Sequence, residues 1–187
     1  NAVIVIDNCV NNGAITRTCG HGKEAGDCSD CGSLGGAGFI ANADVDSKIT
    51  IKNSTITNTS YYGINVASGN KEVVINIENS EITGYAALNI WSAGTIVNVK
   101  NSTLTGINKS APVDGNIFGT IVINAEAEGT VINLEDTKVD AVYDTTGVST
   151  AREYHFVYKT TDYTLNQTNV TWLINGLPNS FKSIKAD

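Results

Sequence analysis

An eight-residue pattern recurs five times along the chain without gaps, in the form apolar-x-apolar-x-Asn/Asp/Gln-Ser/Thr-x-apolar. The copies occupy 49–56, 75–82, 97–104, 132–139 and 163–170, and a degenerate copy occupies 4–9. The alternation at the start of each copy predicts a strand with one buried face. The polar pair that follows breaks the alternation and predicts a bend. Self-similarity at a spacing of this size is typical of stacked repeats, which bury their apolar faces against one another.

Stacking the five copies predicts three apolar columns and a polar corner. The first column is Ile49, Ile75, Val97, Ile132 and Tyr163; the second is Ile51, Ile77, Val99, Leu134 and Leu165; the third is Ile56, Ile82, Leu104, Val139 and Val170. The corner column is Asn53, Asn79, Asn101, Asp136 and Gln167, followed by Ser54, Ser80, Ser102, Thr137 and Thr168. Asparagine tolerates a left-handed backbone, and its amide can bond to the neighbouring repeat.

A second strand precedes each of the first four good copies. It contains Phe39-Ile40, Ile64-Asn65, Leu88-Asn89 and Ile123-Asn124. The sequence therefore predicts an all-β chain folded as a single-stranded right-handed parallel β-helix of about five to six rungs. In this prediction one domain spans 1–187: a weak first rung and a cysteine-bearing insert in 1–38, regular rungs in 39–171 and a C-terminal cap in 172–187.

The rung pattern and the asparagine column resemble those of the right-handed parallel β-helix superfamily, which includes pectate lyases and polygalacturonases. The resemblance covers 39–171 and concerns the fold, since one fold carries many functions. It implies, as one alternative, a lyase or glycoside hydrolase acting on acidic polysaccharide. Gly20-His21-Gly22 matches a short polygalacturonase element, but the Asn-Thr-Asp, Asp-Asp and Arg-Ile-Lys elements of those enzymes do not occur here. We therefore predict no catalytic residue.

All four cysteines fall in the first 31 residues, within a Gly-rich and polar stretch: Cys9, Cys19, Cys28 and Cys31. Because this stretch has little apolar material, two disulfides could hold it as a cap over the end of the coil. A structural zinc site of Cys19, His21, Cys28 and Cys31 is the rival interpretation, and free thiols are the third. We favour the disulfides and expect no cofactor, with calcium near Asp44 and Asp46 as a weaker alternative.

Charge and composition exclude several classes of partner. The formal net charge is −7 and lysine and arginine do not cluster, which argues against binding to nucleic acid. No apolar run reaches the roughly 18–20 residues of a membrane span. The chain contains no Met and begins at Asn1, so we expect it to be part of a larger chain. Abundant Thr, Asn and Gly favour an extracellular or cell-surface location.

Aromatic residues follow the strand after each corner and form the candidate ligand-binding set: Tyr61, Tyr62, Tyr85, Tyr143 and Trp172. Their rings could stack on sugars, or they could cover the edge of the core. We predict a non-catalytic, adhesin-like module of a surface or secreted protein that binds a glycan or a host or cell-surface protein. The enzyme named above is the alternative, and a structural stalk or scaffold is the second alternative.

Overall fold

The computed structural model describes residues 2–13, 39–41, 46–58, 62–69, 71–108, 119–143 and 153–186. These ranges hold strands and turns, and none of them contains a helix that could cross a membrane. The strands are β1 Ala2–Asp7, β2 Val10–Gly13, β3 Phe39–Ala41, β4 Ser47–Lys52, β5 Thr55–Asn58, β6 Ile64–Val66, β7 Val73–Glu78, β8 Glu81–Gly84, β9 Leu88–Ile90, β10 Ile96–Lys100, β11 Thr103–Asn108, β12 Ile121–Ile123, β13 Thr130–Glu135, β14 Lys138–Tyr143, β15 Phe156–Tyr158, β16 Tyr163–Thr168, β17 Thr171–Ile174, β18 Leu177–Pro178 and β19 Ser183–Lys185.

The strands form three sheets, and from β1 to β14 each strand pairs in parallel with the strand three places further along the chain. Sheet A has the order β1-β4-β7-β10-β13-β16, sheet B has β18-β17-β14-β11-β8-β5-β2, and sheet C has β19-β15-β12-β9-β6-β3. Each coil, defined as one strand from each sheet, therefore stacks on the next. This all-β arrangement of parallel sheets is consistent with a solenoid-like fold and with the predicted parallel β-helix.

The predicted apolar columns face inward and form the core. Ile49 pairs with Ile75, and Ile75 pairs with Val97; all three side chains are at most 1 % exposed. The weak first copy is confirmed as well, because Ile4 pairs with Ile49. Burial of each such aliphatic side chain contributes about 1.5–3 kcal/mol. The columns therefore supply most of the stabilisation available to a chain without helices in its described part.

The predicted register is wrong by two residues in the fifth copy. Ile132 pairs with Leu165 rather than with Tyr163, and Val139 pairs with Trp172 rather than with Val170. The corner residue is Asn169, with φ of 52°, and not Gln167. Matching residue types placed Gln167 at the bend, but the left-handed conformation selects asparagine there.

The corner between sheets A and B is built from a left-handed residue, which in four of six coils is followed by a buried hydroxyl. Six corner residues have φ between 47° and 53°: Asn8, Asn53, Asn79, Asn101, Asp136 and Asn169. The hydroxyl residues are Ser54, Ser80, Ser102 and Thr137, whereas Cys9 and Val170 follow the first and the last corner residue. Ser80 donates its hydroxyl to a carbonyl two positions back at 2.7 Å. Its Oγ also accepts the backbone N–H of Ser54 in the preceding coil at 3.1 Å. Each of these four turns is thereby hydrogen-bonded to its neighbour through a buried side chain.

The strands of sheet C confirm the predicted second strands, with one offset. As predicted, Phe39 pairs with Ile64, and Ile64 pairs with Leu88. In the next coil Leu88 pairs with Ile121 instead of Ile123. Sheet C also extends through β15 and β19, which carry no repeat signal in the sequence.

The two ends of the stack differ. At the C-terminal end β18 turns back antiparallel on β17, and aromatic rings pack on the core. Those rings belong to Phe156, Tyr158, Tyr163, Trp172 and Phe181. At the other end the inward Ile4 of the first coil is 41 % exposed, whereas its partner Ile49 in the next coil is 1 % exposed. The aromatic end is therefore better protected from solvent than the first coil.

His155 lies buried in the aromatic end and holds the final segment. Its Nδ1 accepts the backbone N–H of Lys182 at 3.1 Å, so Nδ1 carries no proton. Nε2 is then the protonated nitrogen and donates to the carbonyl of Leu173 at 2.8 Å. The ring also contacts Trp172, with centroids 5.1 Å apart. Burial lowers the pKa of His155 below its usual value of 6.5, against opposing contributions from Leu173 and Asp140.

We expect stability to fall as the pH decreases from 6.5 toward the lowered pKa of His155. Below pH 6.5 the histidine of the unfolded chain takes up a proton, whereas the buried ring stays neutral. Protonation therefore stabilises the unfolded state relative to the native state. Thermal unfolding between pH 7 and pH 5.5 measures this loss. His155→Asn should be less stable at pH 7 and should show a flatter profile. His21→Asn, which changes the other histidine, is the control, and an unaltered profile in His155→Asn would contradict the assignment.

We also expect the corner residues to show a strict preference for side chains that tolerate positive φ. Asn101→Val should lower the free energy of unfolding by about 1–3 kcal/mol, because a branched Cβ is strained in the left-handed region. Asn101→Gly should cost clearly less, because glycine adopts this conformation freely. Denaturation in urea measures both, and equal losses in the two variants would argue against the corner geometry.

Candidate ligand-binding face

The outer surface of sheet A carries a row of hydrogen-bonded asparagines, the amide ladder, made of Asn76, Asn98, Asn133 and Asn166. Each occupies the middle of its strand, between two inward residues. The side-chain amide of each donates to the carbonyl of the one before it, at 2.9, 2.7 and 2.7 Å along the row. The ladder thus crosses four successive coils.

Strand propensity does not account for the amide ladder. Asparagine is depleted in strands, so several in register indicate a specific side-chain contribution. An amide has two N–H donors and two carbonyl lone pairs, and the contacts above use one of each. Asn98 and Asn133 are half-buried and Asn166 is exposed, so their other groups can reach solvent or a ligand.

A second amide row on sheet C provides a contrast. There Asn89 donates to Asn65 at 2.6 Å, and Asn124 donates to Asn89 at 2.9 Å. Asn89 and Asn124 are only 1 % and 3 % exposed. Their amides are therefore structural, whereas the amide ladder on sheet A combines the same chemistry with access to solvent.

Beside the amide ladder runs a column of alternating charge, the charge column: Asp7, Lys52, Glu78, Lys100 and Glu135. Strand register places these residues in successive coils. Lys52 lies 3.2 Å from Asp7, and Lys100 lies 2.6 Å from Glu135. Alternation keeps like charges out of directly opposite positions, which would be destabilising.

The charge column shifts the pKa values of two of its members, Asp7 and Lys100, in the direction that keeps them ionised. Hydrogen bonds from Asn53 and Lys52 hold the pKa of the Asp7 carboxyl below its usual value. The hydrogen bond to Glu135, together with its charge, raises the pKa of Lys100. Both groups are solvent-exposed, so these pairs contribute more to the pattern of charge than to stability.

On the other side of the amide ladder lies an aliphatic column of Val74, Ile96 and Val131. Ile96 pairs with both valines, and all three side chains are half-buried. We call the nine positions that three adjacent coils contribute the ladder face: Val74, Asn76, Glu78, Ile96, Asn98, Lys100, Val131, Asn133 and Glu135. It offers an apolar strip, an amide strip and a charged strip side by side.

A shallow depression of about 210 Å³ lies on the ladder face. Its polar lining consists of Asn76, Glu78, Asn98, Lys100, Asn133 and Glu135. Amides and carboxylates at this density can form several hydrogen bonds to a ligand rich in hydroxyl groups. The central amides do not titrate at ordinary pH, so they take part in hydrogen bonding and not in proton transfer.

The structure places the predicted aromatic residues in different surroundings and does not bring them into one row. Tyr62 is buried at 6 % exposure, in a small apolar cluster with Ala86. Tyr85 and Trp172 are half-buried, and Trp172 packs on the core within 4.6 Å of the Phe181 ring. Tyr143 ends β14 opposite Asn108, and Tyr61 lies outside the described residues. Packing accounts for Tyr62 and Trp172, and ligand binding by the set stays a prediction.

Of the predicted disulfide residues, Cys9 alone lies in the described part of the chain, where its thiol is exposed and free. Its Sγ donates to the carbonyl of Asp7 at 3.4 Å, in the position that serine hydroxyls occupy in later coils. Cys19, His21, Cys28 and Cys31 lie outside the described residues, as does Asp44. Asp46 accepts the backbone N–H of Glu72. No cluster of three metal-binding side chains occurs in the ranges that the structure describes.

Sequence reasoning missed the amide ladder and the charge column, although both leave a signal. The position between the first two apolar residues is asparagine in 75–77, 97–99 and 132–134. The position after them alternates between lysine and glutamate in the first four good copies. An outward column that repeats a poor strand former, or that alternates in charge, indicates an outer face whose residue types serve more than strand formation.

Comparison of this chain with protein-family models, with curated proteins and with solved structures gave no match. The resemblance to the pectate-lyase-like superfamily therefore has no support beyond the parallel all-β architecture. Any function of the ladder face therefore has to follow from the chemistry of its residues.

We expect the charge column to respond to reversal of one charge. Lys100→Glu would place carboxylates in three successive coils, so the midpoint of urea denaturation should fall at low ionic strength. High salt should reduce the difference, because it screens exposed charges. Lys100→Arg, which keeps the alternation, is the matched control. A loss that is independent of salt would indicate that the column acts through packing instead.

Proposed function

We propose that this chain is a non-catalytic glycan-binding module of a surface or secreted protein, folded as a right-handed parallel β-helix. The observation that carries the proposal is the ladder face, where half-buried amides lie between an aliphatic and a charged strip. Sugars present hydroxyl groups and apolar C–H faces together, and this surface can satisfy both. Its polar groups are held in place by strand pairing, which reduces the entropy lost on binding.

The electrostatics of the face support a ligand without strong charge. Within the charge column each lysine is flanked by carboxylates, so neighbouring charges partly cancel. The chain as a whole carries a net charge of −7, which would repel a polyanion. These features favour a neutral glycan over the acidic polysaccharides that the resemblance implied. They also favour binding over the lyase or hydrolase alternative.

A structural stalk or scaffold is the second candidate, and the first coil supports it. β1, β2 and β3 are the terminal strands of their sheets within the described structure. In the same coil the inward Ile4 is 41 % exposed, whereas its partner Ile49 in the next coil is 1 % exposed. An apolar strand edge of this kind can accept a further strand. As a scaffold, the chain would be one segment of a longer stack.

A glycan array probed with the whole chain tests the first candidate. We expect selective binding to neutral glycans, and Asn98→Thr should weaken it about threefold to tenfold, the cost of one or two lost hydrogen bonds. Threonine is a good strand former, so this variant should stay folded. Thr105→Ala, on the outer face of sheet B, is the control and should bind normally.

Three results would count against the proposal. Release of reducing sugar or of unsaturated products would make the chain an enzyme. Binding that survives Asn98→Thr but is lost on substitution of Tyr62 or Tyr85 would move the site to the aromatic residues. Absence of any glycan binding would leave the scaffold as the better candidate.

A further inference from the structure

We infer that the ladder face takes an extended, uncharged, β-linked polysaccharide that lies across the coils, with one sugar residue on each coil. This inference rests on the proposed glycan binding and specifies the shape and direction of the ligand. It follows from the spacing of the amide ladder, from the identity of the groups on each coil and from the balance of charge.

The first step is the spacing. Neighbouring strands of a sheet lie about 4.8 Å apart, so equivalent atoms on successive coils repeat at that distance. One residue of an extended β-1,4-linked pyranose chain advances by a closely similar length. The amide contacts of 2.7–2.9 Å between Asn76, Asn98 and Asn133 show that these side chains keep a regular stacking. Successive rings of a β-1,4-linked chain are turned over relative to one another. A straight polymer can therefore place one ring on every coil and repeat the same contact on every second coil.

The second step is the equivalence of the coils. Three adjacent coils each present an aliphatic residue, an asparagine and a charged residue in the same order across the strand. In the third of these coils the residues are Val131, Asn133 and Glu135. A fourth coil continues the row with Asn166, flanked by Thr164 and Thr168. A sugar on one coil thus meets the same aliphatic and amide groups as its neighbour, beside a charge of opposite sign, which suits a homopolymer better than a branched oligosaccharide.

The third step is the charge. A uronate polymer would place a carboxylate beside Glu78 and Glu135 on alternate coils, and only Lys100 between them would attract it. A neutral chain avoids that repulsion, and its hydroxyl groups can donate to the carboxylates or accept from the lysine. The aliphatic column matches the C–H face of a pyranose ring. A helical α-linked chain would leave the row after one or two residues.

Calorimetric titration with neutral β-1,4-linked oligosaccharides of one to six residues tests the inference. Affinity should rise about threefold to tenfold with each added residue up to four, the number of coils in the amide ladder, and then level off. The α-1,4-linked series of equal length should bind at least tenfold more weakly. Affinity that does not depend on length, or a preference for α-linked or uronate chains, would overturn the inference.

Two variants locate the polymer on the ladder. Asn98→Thr should weaken binding of chains of every length above two, because residue 98 lies inside the row. Asn166→Thr should weaken tetrasaccharide binding but leave trisaccharide binding nearly unchanged, because a trisaccharide can occupy the other three coils. Equal effects of both variants on the trisaccharide would contradict the one-residue-per-coil arrangement.

The outcomes separate this inference from the proposed function. Selective binding of a compact or branched glycan that Asn98→Thr weakens would overturn the polymer and leave the glycan-binding module standing. No binding of any glycan would overturn both. If sedimentation instead shows a dimer of the chain that is lost in Asn98→Thr and is unaffected by oligosaccharide, the face is a contact between copies, and the inference fails.

Discussion

The buried hydroxyl at four of the six corners is the contact on which the architecture depends. A chain that bends sharply between two strands leaves backbone N–H and carbonyl groups without partners in its own coil. Ser54, Ser80 and Ser102 satisfy them by donating within the coil and accepting from the coil before. Because an unsatisfied buried donor costs about 1–3 kcal/mol, each corner favours one register with its neighbour over any shifted one.

The register set at the corners determines which residues line up on the outer faces as well as in the core. A slip of one residue would turn every inward isoleucine to solvent and every outward asparagine into the core. With the slip prevented, outer residues of equal type stand in line, and short amide contacts such as that between Asn98 and Asn133 become available. The ladder face is therefore a direct product of the bend chemistry, although no corner residue belongs to it.

The sequence was sufficient to predict the inward columns, the corner and the parallel stacking, since these follow from apolar period and from the backbone preference of asparagine. It was insufficient at Asn169, where Gln167-Thr168 resembled the bend more closely by residue type. It was also insufficient at β15 and β19, whose pairing depends on contacts across long inserts. The amide ladder and the charge column were present in the sequence as repeated residue types but were not predicted. Two of the aromatic residues predicted to bind a ligand, Tyr62 and Trp172, pack on the protein itself.

The difference between the two ends has a mechanical consequence. In a stack each coil interacts with its nearest neighbours, so local stability follows the quality of each interface. The last coils share the aromatic cluster around Phe156 and Phe181, whereas the first coil leaves its inward Ile4 41 % exposed. Under tension along the stack, the first coil would peel away before the aromatic end yields. The molecule would then lengthen in steps of one coil, beginning at the first.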